Sequence, residues 1–169
     1  KRTDFGVDED GNIVRSNFSS NSWKVVLHKV DKNGDFESAS ELGDGAATYV
    51  ATASGGVAVD DDDNIYSAGS YYATAETTFG SAQLDATYPG SGNKTTQSFL
   101  VKTDPDGQVL WGHNWGNGYD SGTKGLAVTP DGGVVVNGHF KDTVDFDPAD
   151  DGTEEHTADL SNHRPGGSS

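Results

Sequence analysis

Val57-Ala58-Val59-Asp60-Asp61-Asp62-Asp63-Asn64-Ile65-Tyr66 is an apolar stretch, an acidic turn and a second apolar stretch. Apolar residues alternating on either side of a turn describe a strand, a tight turn and a returning strand. The pattern occurs twice more, as Phe5-Gly6-Val7-Asp8-Glu9-Asp10-Gly11-Asn12-Ile13-Val14 and Leu126-Ala127-Val128-Thr129-Pro130-Asp131-Gly132-Gly133-Val134-Val135. The copies align without gaps: Val7 with Val59 and Val128, Ile13 with Ile65 and Val134. Their spacing along the chain is unequal, so insertions separate constant strand pairs. Repetition on this scale decides architecture before any single residue does.

A second unit alternates with the first. Val25-Val26-Leu27-His28-Lys29-Val30-Asp31-Lys32-Asn33-Gly34-Asp35-Phe36 matches Ser98-Phe99-Leu100-Val101-Lys102-Thr103-Asp104-Pro105-Asp106-Gly107-Gln108-Val109. Asn33-Gly34 and Asp106-Gly107 are hairpin signals, because glycine supplies the positive φ that tight turns need. Two hairpins make four strands, the content of one blade of a β-propeller. The expected fold is all-β, of β-propeller type, with four-stranded antiparallel blades. Blade one spans about 5–40 and blade two about 57–112. A partial blade three begins at 126, giving about two and a half blades in an incomplete or open ring. The repeat region occupies 1–150. Residues 151–169 form an acidic segment and a Gly/Ser-rich tail.

These residues resemble the bacterial SBBP-type β-propeller repeats. Val57-Ala58-Val59-Asp60, Asn64-Ile65-Tyr66 and Gly69 match the first half of that repeat. Phe99-Leu100-Val101-Lys102, Asp106-Gly107 and Trp111 match the second. Val144-Asp145-Phe146-Asp147-Pro148 is similar to an inter-strand motif of some such proteins. The likeness covers about residues 5–150. It implies a propeller fold in a large secreted or surface protein and implies no particular chemistry. Closed propellers hold four to eight blades, so an array of this size leaves open edges and a bare face. Partners are therefore expected, either further blades of a larger protein or other copies of this chain.

Composition agrees with many short strands. Of 169 residues 32% are hydrophobic and 23 are glycine. In Glu41 to Thr52, Gly43, Gly45, Thr48 and Val50 argue against a helix. The net charge of −16, from 27 acidic and 11 basic side chains, repels phosphate backbones and anionic lipid. Nucleic-acid binding is excluded on that ground, and no apolar run is long enough for membrane insertion. With no cysteine, disulfides and thiolate metal sites are impossible. With no methionine and no signal-peptide core in residues 1–20, a processed product or a piece of something longer is expected. The expected location is extracellular or at the cell surface.

Asp31, Asn33 and Asp35 place oxygen side chains at alternate positions, a spacing that suits Ca²⁺ in a tight loop. The bidentate Glu of an EF-hand is missing, since Leu42 stands there. An ordinary hairpin turn explains the same residues. The Asp60–Asp63 run is likewise a candidate cation site or a solvated turn. So is the cluster of Asp145, Asp147, Asp150, Asp151, Glu154, Glu155 and His156, as an acidic loop. Trp111 follows Val109 and Leu110 in a strand and is expected in the core. Trp115 falls outside the repeat's tryptophan position and is the candidate ligand-binding residue, together with the Tyr71–Gln97 insertion. Asn17-Phe18-Ser19 and Asn93-Lys94-Thr95 fit glycosylation sequons. The five histidines show no metalloprotease spacing, and no nucleophile elbow or phosphate loop is present.

The leading expectation is a non-enzymatic structural or protein-interaction module of a secreted or cell-surface assembly, with calcium as candidate stabiliser. A carbohydrate-binding module is the first alternative. A fragment of a propeller-type hydrolase, needing an acid pair in a cleft, is the second.

Overall fold

The computed structural model describes residues 4–7, 13–15, 26–42, 48–49, 55–73, 77–79, 82–84, 96–116, 121–141, 143–146 and 155–157. All regular structure among them is strand. In chain order these are β1 (Asp4–Val7), β2 (Ile13–Arg15), β3 (Val26–Val30), β4 (Phe36–Glu41) and β5 (Thr48–Tyr49). There follow β6 (Gly56–Val59), β7 (Ile65–Ala73), β8 (Thr77–Phe79), β9 (Ala82–Leu84) and β10 (Gln97–Thr103). The last are β11 (Val109–Trp115), β12 (Gly122–Val128), β13 (Val134–His139), β14 (Thr143–Asp145) and β15 (Glu155–Thr157). Every pairing is antiparallel.

One local solution builds four of the hairpins. In the turns 31–35, 60–64, 104–108 and 129–133, the first N–H donates to the fifth carbonyl and the fourth N–H to the first carbonyl. The fourth residue is left-handed: Gly34 at φ +91°, Asp63 at +61°, Gly107 at +84° and Gly132 at +84°. This is a type I turn closed by a bulge, for which glycine is the unstrained choice. In three of the turns the opening Asp carboxylate accepts the N–H groups of the third and fifth residues. The distances are 2.8 and 2.8 Å at Asp31, 3.0 and 2.9 Å at Asp60, and 3.0 and 2.8 Å at Asp104. The acidic residue that opens each of these three turns therefore holds its own backbone.

The second repeat forms a sheet in the order β6-β7-β10-β11, with β5 pairing the far end of β7. Lys102 lies opposite Tyr66 and Phe99 opposite Gly69. The first repeat differs. Its hairpins β1–β2 and β3–β4 are separate two-stranded sheets, so the expected four-stranded arrangement occurs once among the described residues. The third repeat is the hairpin β12–β13, followed by β14–β15.

The central sheet carries apolar side chains on both faces. One face gives the cluster Leu42, Tyr71, Phe79, Phe99 and Val101, with Leu27 of β3 and Val109 packed against it. Phe79 stacks on Phe99 at 4.9 Å and meets Tyr71 edge-on at 6.3 Å. The insertion after β7 is thus in part the hairpin β8–β9, whose Phe79 is a core residue rather than a loop tip. The other face gives Tyr66, Ala68 and Leu100, against which Trp111, Trp115, Leu126, Val128, Val134 and Val136 pack. Strand alternation explains the split, since Ile65, Ser67, Gly69 and Tyr71 point one way and Tyr66, Ala68 and Ser70 the other. At Gly55 a Cβ would lie 2.6 Å from the Thr123 methyl and 2.7 Å from the Ala68 carbonyl, so glycine permits this approach of β12.

Candidate functional site

The seam between the central sheet and β12–β13 holds the features that point toward function. At one end lies a cavity of about 360 Å³. Leu100 and Trp115 form one wall, Val134, Val136 and Gly138 of β13 another, and Phe140 and Phe146 close it. Phe140 and Phe146 meet edge-on at 5.3 Å. Asn137, His139 and Thr123 add polar atoms. Trp115 is half-buried and packs on the second cluster, so the sequence candidate sits in the wall of a cavity rather than on an open surface. Trp111 is also half-buried and meets the Tyr66 ring edge-on at 5.9 Å.

The backbone at this end is fixed by a buried amide. The Gln97 side-chain oxygen accepts the Tyr71 hydroxyl at 3.0 Å and the Asn114 amide at 2.9 Å, tying β7, β10 and β11 together. Gly116, at φ +138°, turns the chain out of β11 where a Cβ would press on Gln97 and Ser121.

At the other end Asp60 departs from its acidic neighbours. Asp61, Asp62 and Asp63 are exposed, whereas the Asp60 side chain is only 10% exposed. Lys102 Nζ donates to its Oδ2 at 3.1 Å, and the Tyr66 hydroxyl donates to the same oxygen at 3.2 Å. Lys102 also lies 4.8 Å from the centre of the Tyr66 ring. Burial acts to raise the Asp60 pKa. Donors from the Asn64 amide, Lys102 and the N–H groups of Asn64 and Asp62 overcome it and hold the carboxyl far below the usual range. The Tyr66 hydroxyl, then Asp60, raise the Lys102 pKa against the same burial. Forty-two positions separate the two charges, so the turn sequence alone does not reveal the pair.

A second, open groove of about 400 Å³ runs between the turn at Asp60–Asp62 and that at Thr129–Gly132. It is acidic on one side, with Thr129 and Pro130 on the other.

Asp31, Asn33 and Asp35 do come together in one turn. Both Asp31 oxygens are engaged there, Oδ1 by two backbone N–H groups and Oδ2 by the Asn33 amide at 2.9 Å. The Asp35 N–H is the foremost of the donors that hold the Asp31 carboxyl below its ordinary value, with burial opposing. Asp35 is exposed. Of the alternate oxygens that suggested a cation, those of Asp31 cap the turn. Among the described residues no group of three or more His, Asp or Glu side chains is placed to hold a metal ion.

Of the distal acidic cluster, Asp145 lies opposite Glu155, and His156 opposite Val144, across β14–β15. Asp147, Asp150, Asp151 and Glu154 lie outside the described residues, as do both sequons. Among the described residues, the carboxyls whose pKa moves are Asp31, Asp60 and Asp131. All move down, Asp131 chiefly through the Thr129 hydroxyl. A general acid requires the opposite shift.

Searches with this chain match no protein-family model and no curated protein sequence.

Proposed function

We propose that this chain is a non-enzymatic structural or protein-interaction module, built as consecutive blades of a propeller-type array. The observation that carries this reading is the central sheet. Four strands follow one another in the order β6-β7-β10-β11, and flanking hairpins cover both faces. Face-to-face stacking of such sheets is how a propeller array buries its apolar surface. The likeness to SBBP-type repeats points the same way and to a secreted or cell-surface setting. Sedimentation of the chain over a wide concentration range tests the proposal. Association, or capture of further blades, supports it. A monomer at every concentration that also captures no further blades removes it.

Carbohydrate binding is a second reading, favoured by Trp115 in the wall of an aromatic cavity with Asn137 and His139. Glycan-array binding that Trp115→Ala abolishes would support it, and an empty array would remove it. Calcium at Asp31, Asn33 and Asp35 would have to share Asp31 Oδ2 with the Asn33 amide, while Oδ1 keeps its two backbone donors. Melting with calcium and with chelator decides that point.

A further inference from the structure

Three aromatic rings from three parts of the chain line one cavity. Trp115 ends β11, Phe140 follows β13 and Phe146 follows β14. Phe140 and Phe146 stand at 83° to one another with centroids 5.3 Å apart, so their planes form a corner. Leu100, Val134 and Val136 complete an apolar wall. Trp115 and Phe140 are half-buried, and Phe146 is 41% exposed. The volume of about 360 Å³ suits a small molecule. Partly exposed aromatic surface gathered into one concave place marks a binding site rather than a core.

The charge that accompanies these rings in sequence is mainly negative. Among the described lining residues there is no Lys, Arg, Asp or Glu. Residues 117–120 and 147–154, which continue the chain after Gly116 and Phe146, contain Asp120, Asp147, Asp150, Asp151 and Glu154 and no Lys or Arg. Lys141 follows Phe140, and Asp145 precedes Phe146. The net charge of −16 repels anions and draws cations from a distance, an attraction that salt screens. An aromatic ring in turn attracts a cation to its face. A primary ammonium is strongly hydrated and needs acceptors to replace its water. A quaternary ammonium has no N–H to satisfy, and its methyl groups suit the wall of Leu100, Val134 and Val136.

We infer that this cavity binds a small quaternary ammonium compound of the choline type, its cationic head against Trp115, Phe140 and Phe146. Asn137 lines the same cavity and can bond the hydroxyl of such a ligand's tail. The inference is independent of the interaction-module reading. It differs from the carbohydrate reading in the charge of the ligand.

Calorimetric titration of the intact chain at low salt is the test. Choline is compared with its neutral isostere, in which a quaternary carbon replaces the nitrogen, and with ethanolamine, a primary ammonium. Choline is expected to bind about tenfold more tightly than either. Phe146→Leu removes the ring and keeps an apolar side chain at a partly exposed position. It should weaken choline about threefold and leave the isostere within about twofold. The ligand comparison on the parent chain stands whether or not the variant melts like the parent. No choline binding, a preference over the isostere below about threefold, or tighter binding of ethanolamine overturns the inference. A folded Phe146→Leu variant that binds choline as the parent does also overturns it. Glycan binding without choline binding overturns it and keeps the carbohydrate reading. None of these outcomes bears on association by sedimentation, so the module reading stands or falls separately.

Discussion

The second and third repeats begin alike and end differently. Val57–Tyr66 and Leu126–Val135 share one pattern, one five-residue turn and one alternation of faces. Yet Tyr66 is 2% exposed and Val135, its counterpart, is 57% exposed. The local hairpin does not decide burial. What decides it is whether another hairpin lies on that face and edge: β10–β11 and β12–β13 enclose Tyr66, and nothing described covers Val135. The comparison separates what a repeat carries in its own sequence from what it gains by stacking.

The largest expected effect is at the stacked face. Phe99→Ala, in the first cluster between Tyr71 and Phe79, should cost about 3–5 kcal/mol in urea unfolding. Val135→Ala in the monomer should change it by no more than about 0.5 kcal/mol. Equal effects would break the comparison. Next come the turns. Gly132→Ala puts a Cβ at φ +84° and should cost about 1 kcal/mol. Asp63→Gly, at the one non-glycine among the four equivalent positions, should be neutral or stabilising by up to about 1 kcal/mol.

Acid unfolding probes the pair that the third repeat does not share, since Thr129 stands where Asp60 does. The folded Asp60 pKa lies below its unfolded value. Its contribution is therefore fully present above the ordinary carboxylate range and lost as pH falls below it. Lys102→Met removes one donor and lessens that depression. Its acid-unfolding midpoint should move to higher pH, followed by circular dichroism. An unmoved midpoint would show that Lys102 adds nothing to holding Asp60. The smallest expected effect is that of calcium. Because the Asp31–Asp35 turn is already closed by its own donors and brings only two carboxylates together, calcium should move the melting midpoint little relative to chelator. A rise with calcium would support the cation reading.

The hairpins themselves were legible in the sequence, because turn chemistry and alternation are local. Gly34, Gly107 and Gly132 mark the left-handed residue of three of the four turns, and the apolar residues around the turns give the register. The Asp31–Asp35 spacing was ambiguous for a physical reason. A carboxylate that caps its own turn and one that holds a cation place oxygens at the same intervals. Three features depend on distant partners and had no local signal. Phe79 lies in a polar insertion but packs on Phe99. Asp60 sits among solvated neighbours but faces Lys102. Trp115 stands outside the repeat pattern, yet its cavity forms only when β13 crosses the seam.

The central claim is that the chain is an interaction module whose stacking continues into further blades or copies. Sedimentation equilibrium in 1 M salt, across a hundredfold range of concentration, tests it most directly. The account predicts a mass that climbs above 17.7 kDa in whole multiples as concentration rises. A mass fixed at 17.7 kDa throughout would contradict it.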